Sequence, residues 1–359
     1  MRVIRPMLVA RLLSTLLGVV LCLPAVSTTA EAAQKKPTTT RRATPPVAKK
    51  KTSYSATASR ARRTSLARAR ASARAREYAR LRSLRSLQEA MTPQFKTDAD
   101  GQVIPDVRAA AAIVFNPETG QILYEENSQD KRSIASITKV MTALVYLEDN
   151  PDLNQEIKVE RSDTYAASTT YLKAGETIKA NELLHLLLIP SDNAAARALA
   201  RSSHGGSAQF IERMNEKAIE LGLQNTTFAD PSGLNANNIS SAFDLSHLIT
   251  FASSDERLAG IMRTANYTVT TSRRQIPIHS TNQLVMRGDV EVMGGKTGFI
   301  SKSGYCLATL LRLPQGNPIA VVVLGAQSNN GRFWETRHLF SWLNTKASEV
   351  FSKEPAKQQ

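Results

Sequence analysis

Hydroxyls spaced closely from amines are the residues of this sequence best suited to chemistry. Ser-x-x-Lys occurs at Ser128/Lys131 and Ser136/Lys139, and Ser-x-Asn at Ser191/Asn193, Ser280/Asn282 and Ser328/Asn330. Lys-Thr-Gly occurs once, at Lys296-Thr297-Gly298. A serine becomes a nucleophile when a neighbouring base takes its proton. Lysine can be that base if its pKa falls from ~10.4 by about three units, worth ~4 kcal/mol, through burial or a nearby cation. Ser128 and Lys131 lie in a polar loop with nothing to bury the lysine. Ser136 instead opens an apolar stretch whose helical spacing puts Lys139 on its own face, within reach of the hydroxyl. The N-terminus of such a helix offers unpaired N–H groups and a positive dipole end to an oxyanion. Lys296 is a second cation that would depress the pKa of Lys139 by repulsion. Ser191-Asp192-Asn193 follows Pro190 in a break between two helical stretches, where side chains can enter a cleft. Gly298 at a strand end would let a substrate backbone approach closely.

Other chemistries lack their residues. There is no Gly-x-Ser-x-Gly elbow and no His-Glu-x-x-His, and His185, His204, His247, His279 and His338 have no ligand spacing. Gly295-Lys296-Thr297 resembles the end of a phosphate loop, but Val290 stands where that loop needs glycine. No cofactor and no metal is expected. Cys306 is expected to be a small buried strand residue, and Asp192 to face solvent.

The elements that must position these residues alternate along the chain. Residues 110–115 and 121–125 read as a hairpin around the turn 117–120. Helical patterns follow at 136–147, 181–189, 193–202, 207–221 and 242–253. Strands are expected at 267–272, 290–297, 304–313 and 318–324, and a last helix at 332–347. Hairpins at both ends with helices between them predict an α+β fold with an antiparallel sheet.

The three strings in this order, Ser136-x-x-Lys139, Ser191-Asp192-Asn193 and Lys296-Thr297-Gly298, resemble the motif set of the penicillin-recognising serine enzymes. Longer strings resemble the D-alanyl-D-alanine carboxypeptidase branch: Ile134 to Ala143, Asp230-Pro-Ser-Gly-Leu234 and Lys296 to Cys306. The resemblance covers residues 105–348 and is greatest to the D-alanyl-D-alanine endopeptidase group, penicillin-binding protein type 7. It departs at Asp192, where that group tends to carry Glu. The group lacks the extra C-terminal β domain of its relatives, and residues 348–359 are expected to leave no room for one.

The resemblance implies a β-lactamase/penicillin-binding-protein-like fold, an antiparallel sheet flanked by helices plus a helical subdomain. It implies a serine peptidase that acts through an acyl-serine on D-Ala-containing peptidoglycan stem peptides and cross-links, with β-lactams as inhibitors. Ser136 would be the nucleophile, Lys139 its general base, and Ser191 the proton donor to the leaving amine. Asn193 would hold Lys139 and the substrate amide. Lys296 and Thr297 would bind the substrate carboxylate beside Gly298, and the N–H groups of Ser136 and Phe299 would form the oxyanion hole. Asn282 is a further candidate for the cleft wall. A serine β-lactamase would need a glutamate before x-x-Leu-Asn, and Pro231 stands there before Leu234-Asn235. A non-catalytic wall-binding protein would be expected to have lost one of the three motifs.

Charge divides the chain. It holds 46 Lys and Arg against 31 Asp and Glu, a formal +15. Residues 34–90 hold 17 of the basic residues against Glu77 and Glu89 alone, while residues 91–359 hold 26 basic and 28 acidic ones. The body therefore lacks the basic face that nucleic acid requires, and no nucleic-acid partner is expected. Residues 1–33, with a basic start, an apolar run over 12–26 and small residues after it, read as a secretory signal peptide. A membrane span needs ~20 apolar residues. The expected organisation is signal peptide 1–33, disordered Arg/Lys-rich arm 34–100, catalytic domain 101–350 and tail 351–359. The protein is expected in the periplasm or cell envelope, with the arm as a solvated spacer or a contact for an anionic wall or membrane surface.

Overall fold

The structure, a computed structural model, describes residues 56–352. The chain divides at Arg70 into two units, Met1–Arg70 and Ala71–Gln359. Helix α1 (Ala56–Met91) is followed by a hairpin of β1 (Phe95–Thr97) and β2 (Val103–Pro105) and a second of β3 (Ala111–Asn116) and β4 (Gln121–Glu126). Strand β5 (Arg132–Ser133) leads through a 3-10 turn (Ala135–Ile137) into α2 (Thr138–Glu148). The middle of the chain holds β6 (Glu156–Lys158), α3 (Arg161–Thr164), β7 (Thr177–Lys179), α4 (Ala180–Leu188), α5 (Asn193–Ser202) and α6 (Gly206–Glu220). After it come β8 (Ile239–Ser240), α7 (Ala242–Ser254), α8 (Glu256–Met262), β9 (Asn266–Thr270), β10 (Gln275–His279) and α9 (Gln283–Arg287). The chain ends with β11 (Glu291–Ile300), β12 (Gly304–Arg312), β13 (Pro318–Ala326) and α10 (Asn329–Ser352).

The expected α+β architecture is present. The main sheet is antiparallel, in the order β11-β12-β13-β3-β4. Strand β13 alternates between its two faces. Ala320, Val322 and Leu324 of β13 join one core with residues of α2, α4, α5 and α7, while Ile319, Val321 and Val323 join another with Phe333, Leu339 and Leu343 of α10. A sheet covered on both faces selects near-continuous apolar strands, which is why β13 reads as Ile-Ala-Val-Val-Val-Leu. This leaves β11 as an edge strand, with Lys296 opposite Ala308, Thr297 opposite Leu307 and Gly298 opposite Cys306. Cys306 is buried, as expected of a small strand residue.

Residues 56–100 differ from the disordered arm expected there. Residues 56–91 are helical, and Phe95–Thr97 pairs antiparallel with Val103–Pro105. Ala, Arg and Leu cost little in a helix. The arginines from Arg68 to Arg85 are exposed, so solvent screens their repulsion, and Arg85 pairs with Glu89 one turn on. The signal peptide 1–33 and the arm's residues 34–55 lie outside the described residues, as do 353–359 of the tail. Among the described residues no helix is long and apolar enough to cross a membrane.

Candidate active site

The site begins with a strained turn. Ala135 has φ +49°, a left-handed conformation uncommon outside glycine. Ile134 and Ile137 on either side are buried in the core, and the Ala135 carbonyl accepts the Thr138 hydroxyl at 2.8 Å. The Ile134 N–H donates to Asn238 O at 3.1 Å. These anchors hold the strain and turn Ser136 to the wall of a cleft of about 450 Å³.

Behind Ser136 lies Lys139, fully buried on α2. Its Nζ is 2.9 Å from Ser136 Oγ, 2.7 Å from Asn193 Oδ1 and 2.5 Å from Ser232 O. Two of these partners can only accept. Ser232 O is a carbonyl, and the Asn193 amide is oriented by its Nδ2 donating to Ala167 O at 2.7 Å. Two amine protons are thus committed, and the third tetrahedral position of Nζ faces Ser136. In the neutral amine that position is a lone pair, able to receive the serine proton. Burial pushes the pKa of Lys139 down from 10.5 to about 7, with Asp192 and Asp230 opposing the fall and Arg197 adding to it.

The Ser232 carbonyl is placed by the loop Asp230-Pro-Ser-Gly-Leu234. Asp230 Oδ1 accepts the N–H groups of Gly233 (3.0 Å) and Asn235 (3.2 Å), and Oδ2 accepts Ser232 N–H at 3.1 Å. Thr142 on α2 donates to Pro231 O at 2.6 Å. Gly233 has φ +83°, and a Cβ on it would sit 2.0 Å from Ala135 O. The loop therefore packs backbone to backbone on the nucleophile turn, which only glycine permits.

The second string forms the opposite wall. Ser191 has φ +68° and borders the cleft, with its Oγ buried and, among the described residues, without a hydrogen-bond partner. It is not hydrogen-bonded to Ser136 or Lys139. Asp192 does not face solvent as expected. It is fully buried and caps α5, accepting Ala195 N–H at 3.0 Å on Oδ1 and Tyr171 N–H at 2.6 Å on Oδ2. The first turn of a helix leaves N–H groups unpaired, and this carboxylate serves one of them and the 168–171 loop together. Burial raises its pKa against these hydrogen bonds and the charge of Lys139.

The third string lies on β11. Lys296 is buried, with Nζ donating to Thr297 O at 3.0 Å. Its pKa is held well below 10.5, first by burial and then by the charges of Lys139 and Arg332. A Cβ on Gly298 would lie 2.6 Å from Ile134 O, so the close approach expected of a substrate is made by the nucleophile turn itself. Phe299 borders the cleft, its ring stacked on Tyr305 with centroids 4.2 Å apart. Because β11 is an edge strand, one side of its backbone has no strand partner among the described residues. Asn282 does not line the cleft. It is buried and caps α9 through Leu284 N–H at 3.0 Å.

Two cleft residues carry no signal in the sequence. Thr281 hydrogen-bonds Thr297 hydroxyl to hydroxyl at 2.6 Å, and its N–H donates to Ile189 O at 3.1 Å. Arg332, on α10, borders the cleft and donates to Gly298 O at 2.9 Å and Cys306 O at 3.2 Å. Burial lowers its pKa to about 10. No ion pair among the described residues includes Lys139, Lys296 or Arg332. The cleft thus joins a serine to a buried amine that can take its proton, beside the guanidinium of Arg332, and suits acyl transfer on a substrate carrying a carboxylate.

The chain is similar to known proteins. Residues 96–328 match the family model described as D-alanyl-D-alanine carboxypeptidase, the S11 peptidases. The chain is 33% identical over 246 residues to a D-alanyl-D-alanine endopeptidase of Escherichia coli, covering 67% of this chain and 79% of that one. It is 31% identical over 244 residues to a D-alanyl-D-alanine endopeptidase of Pseudomonas aeruginosa, covering 67% of this chain and 78% of that one. A solved Streptomyces DD-transpeptidase superposes with a TM-score of 0.63 at 28% identity, covering 66% of this chain and 97% of that one. The chain belongs to the D-alanyl-D-alanine carboxypeptidase family; it is a serine DD-peptidase.

Gly233→Ala should abolish acylation by penicillin, because its methyl group would displace the Ala135 carbonyl and with it Ser136. Intact-mass spectra after exposure to penicillin check this. An unchanged acylation rate would mean that the Asp230–Leu234 loop does not set the nucleophile turn.

Proposed function

We propose that the protein is an exported D-alanyl-D-alanine endopeptidase that opens peptide cross-links in peptidoglycan. The observation that carries the chemistry is the amine of Lys139, held by two obligate acceptors with its third position on Ser136 Oγ. Neutral Lys139 takes the Ser136 proton as Oγ adds to the carbonyl carbon of D-alanine. The N–H groups of Ser136 and Phe299 hold the oxyanion. Its collapse breaks the peptide bond as Ser191 gives its hydroxyl proton to the departing amine and takes up the proton held by Lys139, which leaves both groups as they began. Water then adds to the acyl-serine carbonyl as neutral Lys139 takes its proton, and the ester bond breaks as that proton returns to Ser136 Oγ, which releases the acyl peptide as a carboxylic acid. Asn193 positions Lys139, while Lys296 and Thr297, beside Gly298 and with Arg332 near, attract the carboxylate next to the scissile bond.

The Ser191 hydroxyl supports its role as a proton carrier, since it borders the cleft and no described protein group occupies it. The names of the E. coli and P. aeruginosa relatives support the endopeptidase preference. The apolar run at 12–26 supports export to the periplasm or envelope.

Purified peptidoglycan separates the activities. An endopeptidase converts cross-linked dimers to monomers, whereas a carboxypeptidase releases free D-alanine, and mass spectrometry of the digest distinguishes them. Ser136→Ala should yield no product and Ser128→Ala should behave as wild type, because Ser128 is occupied with Glu125 at 2.5 Å. Products from Ser136→Ala would refute the assignment.

The basic segment is proposed to hold the enzyme near an anionic envelope surface. Arg68, Arg70, Arg74 and Arg76 are all exposed on α1, and each arginine near such a surface contributes ~1 kcal/mol before screening. Replacing these four by glutamine should weaken cosedimentation with anionic vesicles or cell wall, most clearly at low salt. Equal, salt-insensitive pelleting of both proteins would leave the segment as a spacer.

A further inference from the structure

Thr281 and Thr297 share one hydrogen bond between two hydroxyls 2.6 Å apart, and either atom can be its donor. Both residues border the cleft. Which of them donates decides what Thr297 presents to a ligand. If Thr297 donates to Thr281, its lone pairs face the cleft and repel an anion. If Thr281 donates to Thr297, the Thr297 proton is free to point into the cleft. The alternative acceptor for the Thr281 hydroxyl is Ile189 O, 3.4 Å away. That distance is long for a hydroxyl donor, and the same carbonyl already accepts the Thr281 N–H at 3.1 Å. Turning the Thr281 proton toward Thr297 therefore sacrifices little.

We propose that Thr281 is a positioning residue that fixes Thr297 as a hydrogen-bond donor to a free carboxylate beside the scissile bond. This rests on the peptidase reading of the cleft and names the feature of the substrate that Thr281 selects. The chain Thr281 → Thr297 → carboxylate has each hydroxyl polarised by the one behind it. It ends on an anion in a wall where, among the described residues, Arg332 has no ion-pair partner and Ser191 Oγ no hydrogen-bond partner. A neutral group in the same place gains less, because a hydrogen bond to a charged acceptor is roughly twice as strong as one to a neutral acceptor. The Thr281 backbone has a separate task. Its N–H holds the carbonyl that precedes Pro190-Ser191, and that bond survives any change of side chain.

The side chain can therefore be tested alone. Thr281→Val keeps the shape and the backbone bond and removes only the hydroxyl, Thr281→Ala is a second hydroxyl-free variant, and Thr281→Ser restores the hydroxyl. The readout is the second-order rate of Ser136 acylation in the full chain by benzylpenicillin and by its methyl ester, followed by intact mass. The ester lacks the anion but needs the same Ser136–Lys139 pair, so it reports on the folded centre. Loss of the hydroxyl should lower the ratio of acid to ester rates about tenfold, the size of one charge-assisted hydrogen bond. The ester rate should change little, and Thr281→Ser should keep the wild-type ratio. An unchanged ratio in Thr281→Val and Thr281→Ala overturns the proposal, whether both reagents slow together or neither does. If the wild-type chain is acylated by neither reagent, the peptidase reading falls first and the proposal with it.

Discussion

Burying an amine without a carboxylate beside it is the constraint from which this site follows. Lys139 is fully buried on α2 and makes no ion pair among the described residues. A buried ammonium is costly, and the amine escapes the cost by giving up its proton. What surrounds it decides whether that neutral amine is useful. Two carbonyl oxygens, from Asn193 and Ser232, take its protons and leave its remaining position on the serine. The nearest acids, Asp192 and Asp230, are turned elsewhere. Their oxygens accept backbone N–H groups of the 168–171 loop, of α5 and of the Asp230–Leu234 loop. They moderate the field at Lys139 without forming an ion pair that would keep it charged.

The backbone supports this arrangement by close contact rather than by side-chain packing. The turn at Ala135 is gripped by Gly233 from one side and Gly298 from the other, each nearer than a Cβ could be. Ala135 and Ser191 both hold positive φ, a strain of order 1–3 kcal/mol that persists only where the surroundings enforce it. The double-sided core of the sheet supplies that enforcement. It fixes β11 at the edge, where Thr297, Gly298 and Phe299 border the cleft.

Much of this was legible in the sequence because period and chemistry agree there. Helix α2 reads from its apolar spacing, and the burial of Lys139 follows from its place on that face. Strands β12 and β13 read from their apolar runs and the turn at 314–317 between them. Strand β10 did not read, because Pro277 argues against a strand, and it survives in a two-stranded ribbon paired only with β9. Helix α9 is too short to show a period. Asp192 was misplaced because a lone carboxylate is normally solvated; its burial depends on N–H groups of Tyr171 and Ala195 that only the fold brings to it. Thr281 and Arg332 reach β11 from other elements, and spacing along the chain does not encode such contacts. The helix over 56–91 was missed because charge density was weighed above the helix propensity of alanine, arginine and leucine.

The account stands on Lys139 being a neutral amine near physiological pH. The direct measurement is its titration in the folded protein by NMR of lysine labelled at Cε, with Lys139→Arg to assign the resonance. A midpoint near pH 7, with the rate of acylation by penicillin rising through the same midpoint as the amine loses its proton, is the predicted result. A midpoint near the ordinary 10.5 would mean that Lys139 is an ammonium in the working enzyme and that another group takes the proton of Ser136.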